Sequence, residues 1–566
     1  MAKRLVIDPI TRIEGHLRIE TEIENGKVVN AYSIGTTFRG IEVILKGRTA
    51  LDAWLFAQRI CGVCTTVHAM ACVRSVEDAT NTKIPLLAQL IRNLILMSHT
   101  FQDNIVHFYH LTSLDWVDIT KAAKADPKKA AKLAANLYDW PTHSVDRFKE
   151  VKELLNKIIE SGKLGIFVGY WGHPAYDALP PEIHLILVSH YLEAFDYQRF
   201  ATQANAVIGG KNPHIQSLVP GGVSLAINKD NPSTFNMERA QMYYSFVRKT
   251  CDFIKNVFFR DAIILSKYYK DWFNKGKGIK ALLATPDLPT NVDMTNFDLP
   301  GGYLPDSDDL SNVEVFKDWK DPNLRNNIKE DIYHAWYKGA WAKHPWEETT
   351  EPEYTGINYD GKYSWIKGPL FKDKPAQVGP VAQVLIGYAT GHELIKKYTI
   401  EATNEVGIPV GKLNSTIGRN LARAIRVRVL SDLLEKHFNM LIEAMNQETE
   451  YCVPVKFSGE QKGVGFHEAP RGMLSHWTVI QGPDGILKNY QAVVPSTWNA
   501  RPRTAQGEPG SYEAALMDNI FVIDPEKPVE ILRTVHSFDP CMACAVHLYD
   551  EDRKKRIFVQ AKTLSR

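Results

Sequence analysis

Arg59-Ile-Cys61-Gly-Val-Cys64-Thr-Thr-Val-His68 and Asp539-Pro540-Cys541-Met-Ala-Cys544-Ala-Val-His547 decide how this chain is read. Each stretch has C-x-x-C spacing, which lets two thiolates converge on one metal ion from a single turn. Soft thiolates select zinc, copper, nickel or iron over magnesium or calcium. One such pair could equally be a redox disulfide. Two pairs, each with a His three or four residues downstream, predict a four-thiolate site, and hence a fold that brings the two ends of the chain together. Spacing alone favours structural zinc, closed and tetrahedral. Against that stand the near-full-length separation of the pairs, an odd way to build a local staple, and the ionisable Arg59 and Asp539 beside them.

Bulk properties narrow the classes. With 67 basic and 65 acidic residues the net charge is +2, which carries no nucleic-acid footprint. Hydrophobic content of 44% is that of an ordinary soluble protein. No apolar run reaches about eighteen residues, so nothing is expected to cross a membrane. Met1-Ala-Lys-Arg-Leu-Val-Ile enters a strand pattern at once, leaving no room for a secretory signal. Seven cysteines in 566 residues are no disulfide scaffold. Cys72, Cys251 and Cys452 lack ligand spacing and read as buried small hydrophobes. Iron–sulfur clusters usually take four cysteines each. Any electron chain leading away from a redox metal here must therefore lie in a second subunit.

Alternation over Leu17–Ile34 around Asn25-Gly26 predicts a hairpin with a type I′ turn. Helical periodicity runs from Leu51 to Arg59, from Pro85 to about Trp116, from Pro181 to Ile208 with Gly209-Gly210 as its stop, from Ser233 to Lys275, and from about Ser415 to Gln447. The expected architecture is mainly α within an α+β class: a long-helix bundle with small peripheral sheets. A hairpin region (1–50) precedes it, and 277–385, rich in Pro, Gly, Asp, Trp and Tyr, reads as an ordered, loop-rich lobe rather than a disordered linker. Val493-Val-Pro and Ile531-Leu-Arg-Thr-Val read as short strands.

Further segments carry a resemblance: Arg12-Ile-Glu14-Gly15-His16, Phe38-Arg39-Gly40-Ile-Glu42, Glu468-Ala-Pro470-Arg471-Gly472 and Val494-Pro495-Ser496-Thr497-Trp498. With the cysteine pairs, and in this order, they resemble the large subunit of nickel–iron hydrogenases, most of all its membrane-associated uptake branch. The resemblance spans essentially the whole chain and implies one catalytic domain over 1–547. It implies that Cys61, Cys64, Cys541 and Cys544 bind nickel, with Cys64 and Cys544 bridging to an iron that carries cyanide and carbon monoxide. Position 541 is Cys, so the selenocysteine variant is excluded.

The resemblance further implies Glu14 as proton relay and Arg471 as a guanidinium held over the metals, flanked by Asp103 and Asp539. Ser496 and the backbone near Pro470 would donate to the cyanides, and His68 to a cysteine sulfur. Glu42, the Ala492 carbonyl and His547 would hold a magnesium-like ion. Read without it, Glu14 would pair with Arg12 or Arg18, Glu42 would be solvated near Arg39, Arg471 would make a surface ion pair, and Asp539 would start a turn. Family members are cleaved after the His matching His547. Leu548–Arg566, 19 residues with net charge +3, would then be a maturation extension removed by an endopeptidase once nickel-insertion factors have acted.

The expected activity is reversible oxidation of H2 to protons and electrons. Its partner would be an iron–sulfur small subunit whose export signal carries both to the periplasmic face of the membrane. A hydrogen sensor, with the same metals and slow turnover, is the main alternative. The thiolate-free quinone-site subunit of respiratory complex I is disfavoured by the four cysteines, and a zinc-stabilised scaffold remains as a third reading.

Overall fold

The computed structural model describes residues 3–162 and 170–545. The first sheet is an antiparallel meander of β1 (Lys3–Ile7), β2 (Leu17–Glu24) and β3 (Lys27–Gly35). Asn25 and Gly26 have φ of 50° and 81°, the two positive values that a type I′ turn requires. Leu17, Ile19 and Ile23 point into the core, as the period-2 pattern dictates.

Helices dominate the rest. They are α1 (Val67–Ala79), α2 (Leu86–Ile105), α3 (Pro181–Gly209), α4 (Met237–Phe253), α5 (Phe259–Tyr268) and α6 (Thr416–Gln447). Wider π-type turns extend α2 over Val106–Thr112 and link α4 to α5 over Ile254–Phe258. Gly210, at φ 78°, ends α3, and the Ser415 side chain caps α6. The helix expected from Ser233 begins only at Met237. Asn231 turns its side chain back onto the Ser233 N–H, and Asn236 takes the cap by accepting from the Arg239 N–H. The core forms where α2 packs against α3 and α6, and α3 against α4. The helices Pro127–Leu137, Val145–Ser161 and Glu393–Val406 were not anticipated.

A second meander follows α6: β4 (Glu460–Ala469), β5 (Gly472–Gln481) and β6 (Ile486–Val493). It lies directly on α1, and Gly463 and Gly465 make that approach possible. A Cβ there would fall 2.2 Å from the Ser75 carbonyl oxygen and 2.0 Å from that of Ala71. The stretch 277–385 contributes short strands, among them Leu282–Ala284, Gly301–Leu304, Ile328–Asp331 and Gly368–Phe371. Its last residues already belong to the helix Pro380–Ala389. Leu283, Phe316 and Phe371 share a satellite core with Phe466 and Trp477 of the second meander.

The chain then makes α7 (Pro495–Ala500), α8 (Ser511–Met517) and α9 (Val529–Ser537). Ile531–Val535 is thus helical, not a strand. Its β-branched residues mimic strand composition, but Pro528 stands at the N-cap of a helix whose apolar Val529, Ile531, Leu532 and Val535 gather on one face. The ends of the chain meet. Val28 N–H donates to Ile520 O at 2.9 Å and Met542 N–H to Glu14 O at 2.7 Å, and Glu14 and Cys541 form a parallel bridge.

Candidate metal centre

Cys61 leaves a single 3-10 turn, Gln58–Ile60, in extended conformation. Its sulfur accepts the Val63 and Cys64 N–H groups at 3.2 and 3.1 Å, so the C-x-x-C loop wraps around it. Asp539, at φ 61°, swings the opposite chain end so that Pro540 delivers Cys541 and Cys544. The sulfurs lie 3.3 Å apart for Cys61–Cys541, 3.9 Å for Cys64–Cys541, 3.0 Å for Cys64–Cys544 and 2.9 Å for Cys541–Cys544. Four sulfurs at about 2.3 Å from one ion would stand roughly 3.8 Å apart, so small outward movements admit a metal. Among the described residues this buried quartet is the one group of three or more Cys, His, Asp or Glu spaced for a metal ion.

Burial opposes ionisation of all four thiols. Hydrogen bonds from Cys541 and Cys544 overcome it at Cys61, which is drawn well below the ordinary thiol range. Cys64 is pushed up to about 11, and Cys541 and Cys544 are held well above their usual value. Without a cation the site thus favours one thiolate over the other three, and a metal must displace the remaining protons.

Glu14 meets this cluster from the N-terminal side. Its Oε2 accepts the Ala543 N–H at 2.8 Å and lies 3.5 Å from Cys541 Sγ. Burial, then the negative charge on Cys61, raises its carboxyl above the usual range. Gly15 is required beside it, since a Cβ would sit 2.6 Å from Ala543 N and φ is 79°. Neither neighbouring arginine pairs with Glu14. Arg12 bonds Leu111 O and Asp115, and Arg18 bonds Glu20 and Asp8.

Arg471 is buried, not a surface group. It donates to Asp539 O at 2.9 Å, to Asp539 Oδ1 at 2.9 Å and to Asp103 Oδ2 at 3.0 Å. Against the cost of burial, the two carboxylates raise its pKa further. Pro470, Arg471 and Ser496 line a small cavity together with Cys64, Cys541 and Cys544. Ser496 Oγ accepts the Cys541 N–H at 3.1 Å. His68, in the first turn of α1, places Nε2 3.2 Å from Cys544 Sγ and Nδ1 3.0 Å from His476 Nε2, and His476 in turn bonds the Tyr490 hydroxyl. His476 and Tyr490 sit on the second meander, and nothing in their spacing marks them.

Glu42 is buried, and Arg39 turns instead to the carbonyls of Arg59 and Ile60. Glu42 Oε1 accepts the Ala492 N–H at 3.1 Å, and Oε2 lies 3.1 Å from Lys367 Nζ. Lys367 also reaches Glu330, Glu348 and Gln491, none of them singled out from sequence. His547 and the extension 548–566 lie outside the described residues. Cys72 and Cys251 are buried, but Cys452 is exposed, so the expectation of burial fails there. It lies in the connection between α6 and β4, bridged to the buried Gly222.

A family model for nickel-dependent hydrogenase matches residues 39–547, and one described as HoxL-like matches residues 4–33. The hydrogenase-2 large chain of Escherichia coli K12 is 46% identical over 574 residues, covering 99% of this chain and 100% of that one. The uptake hydrogenase large subunit of Rhizobium leguminosarum bv. viciae is 42% identical over 592 residues, covering 99% and 98%. Among solved structures, the Ni-Fe-Se hydrogenase of Desulfovibrio vulgaris Hildenborough superposes with a TM-score of 0.78 at 28% identity, over 97% of this chain and 100% of that one. The α+β fold, the sulfur quartet and full-length identity agree: the chain belongs to the nickel-dependent hydrogenase family, among its large, catalytic subunits.

Proposed function

We propose that Cys61, Cys64, Cys541 and Cys544 hold nickel, that Cys64 and Cys544 share it with an iron bearing cyanide and carbon monoxide, and that the protein splits H2 reversibly there. The observation that carries this reading is the meeting of four sulfurs from opposite chain ends, with the Glu14 carboxyl 3.5 Å from Cys541 Sγ. Bound at these sulfurs, the metals would supply heterolytic cleavage of H2, taking up its electron pair and releasing a proton.

The protein's own groups manage that proton and the charge. Glu14, raised toward neutrality by burial, exchanges a proton with Cys541 at hydrogen-bond reach. Arg471 holds a fixed positive charge over the cavity, and Asp103 and Asp539 orient it bond by bond. Ser496, whose oxygen accepts from the Cys541 N–H, would donate its own O–H to diatomic ligands of the iron, together with backbone N–H groups beside Pro470. His68, oriented by His476, offers an N–H to Cys544 Sγ.

A hard divalent cation such as magnesium fits beside Glu42. Three carboxylates around the single Lys367 ammonium leave negative charge to be matched, and burial with Glu330 beside it raises Glu348 well above its usual range. The Ala492 carbonyl and His547 would complete that site. The remaining cysteines cannot ligate a cluster, so electrons leave through an iron–sulfur small subunit, and the pair works at the periplasmic face of the membrane. No helix of the described residues is long and apolar enough to cross one. Cleavage after His547 by an endopeptidase, following nickel insertion, completes maturation.

Metal analysis and infrared spectroscopy of the purified protein test the reading. Nickel with at least one iron beyond those of the partner's iron–sulfur clusters, together with CO and CN bands, is expected. Zinc without either metal would overturn it, and catalytic turnover far below that of an enzyme would favour the hydrogen-sensor alternative.

A further inference from the structure

Beside Arg471 lies a feature that its two carboxylates do not explain. Helix α6 carries Arg419, Arg423 and Arg426, spaced four and three residues apart on one face and each at most 4% exposed. None forms an ion pair with a carboxylate among the described residues. Arg419 donates to Ser537 Oγ at 2.8 Å and Gly276 O at 2.9 Å, and lies 3.8 Å over the Phe538 ring. Arg423 donates to Ser537 O at 3.3 Å through both terminal nitrogens. Arg426 holds the carbonyls of Glu468 and Ala469 at 2.5 and 2.7 Å, just ahead of Arg471. Arg419 Nη1, Arg423 Nε and Arg426 Nε have no acceptor at all. Arg419, Arg423 and Arg471 face one small cavity together with Gln377 and Asn499.

Holding carbonyl groups needs donors, not charge. A buried cation without a counter-charge is costly, and burial drags Arg419 down to about 9 and Arg423 to about 10. Arg471 takes Asp103 and Asp539, and Arg426 lies in the field of Glu468 and Asp287, which leaves Arg419 and Arg423 as buried charges with no carboxylate at ion-pair distance among the described residues. The nearby Arg74 is no part of this excess, because Asp287 pairs with it at 3.1 Å. Such an excess persists only if something negative belongs beside it. Thiolates and cyanide around nickel and iron would make the centre anionic, which is the sign of charge required.

We infer that Arg423 and Arg419 are charge-balancing residues of the metal centre, acting across the Ser537–Asp539 turn rather than by touching the metals. This rests on the nickel–iron reading above. In a low-dielectric interior, charges interact strongly over about 10 Å. The row therefore lowers the cost of gathering thiolates and draws electron density away from the metals.

Infrared spectra of the metal-loaded holoenzyme test this with Arg423→Met, Arg423→Lys and Arg419→Met. Loss of charge in Arg423→Met should move the CO and CN bands to lower frequency. Arg423→Lys should leave them near the wild-type positions, and Arg419→Met should move them in the same direction as Arg423→Met. Unmoved bands in both Met variants, or an equal shift in the Lys variant, would overturn the inference. If Arg423→Met takes up no metal, Arg423→Lys decides: normal loading supports the role of charge, whereas an equally empty protein assigns Arg423 to shape alone. Wild-type enzyme without such bands would instead sink the nickel–iron reading itself.

Discussion

Glu14 is the residue on which the proton argument turns, and its surroundings allow a sharp test. Its backbone bridges to Cys541, its carboxyl is fixed by the Ala543 N–H, and Gly15 lets the two chain ends close around it. Glu14→Gln keeps shape and hydrogen bonding but cannot carry a proton. Positioned acid–base groups contribute roughly 10²–10⁴-fold. H2-dependent dye reduction should therefore fall by about that factor, while metal content and infrared bands persist. Wild-type turnover in Glu14→Gln would show that protons leave by another group. His476 illustrates the opposite case for legibility. It orients His68 against Cys544, yet a lone His in a buried strand carries no spacing, charge or neighbour that marks it from sequence.

At the scale of elements, the placement of His68 and the first cysteine pair depends on how closely α1 lies on β4. Gly465 has the Ala71 carbonyl where a Cβ would be, at 2.0 Å, and backbone cannot turn aside as a side-chain tip can. Overfilling a tight core costs about 1–3 kcal/mol, and Gly465→Ala should fall at the upper end. A clear drop in the thermal unfolding midpoint checks this, and an unchanged midpoint would mean that α1 moves freely on the sheet. The same contact explains what could be read beforehand. The β2–β3 hairpin, α3 and α6 were legible because turn glycines, caps and alternation mark their ends. Of the second meander only its end at Val493 was legible, with Val494 and Pro495 passing into α7 instead, because from Gly463 to Ala469 the meander is buried on both faces and alternation disappears. Helix α9 was misread for a different reason: Ile531, Thr534 and Val535 are β-branched and mimic strand composition, although over Val529–Ser537 the apolar residues do gather on one helical face.

For the whole molecule, the decisive fact is that residues near both ends build one site, so the site lasts only while the ends stay docked. Asp115, at the far end of the helical segment that begins with α2, is a principal tie. Its carboxylate bonds Arg12, just ahead of Glu14, and His536 Nδ1 at 2.6 Å in α9, while His536 Nε2 reaches Thr11 O at 2.7 Å. Burial opposes ionisation of Asp115, but Arg12 and His536 outweigh it and bring its pKa down to about 2. A carboxylate shifted from about 3.9 to about 2 contributes roughly 2–3 kcal/mol of folding stability. The sign follows from the direction of the shift. That stability is fully present above about pH 5, is about half lost near pH 3, and disappears as pH approaches the folded value. Asp115→Asn should therefore unfold at lower temperature than wild type at pH 7, and the gap between them should narrow steadily as pH falls from 5 to 3. Because the tie holds the Glu14 loop against the Cys541 segment, metal release should follow the same course, earlier in the variant than in wild type at neutral pH. A gap in unfolding temperature that stays constant with pH would mean that Asp115 acts through packing, and that some other contact keeps the two ends of the chain together.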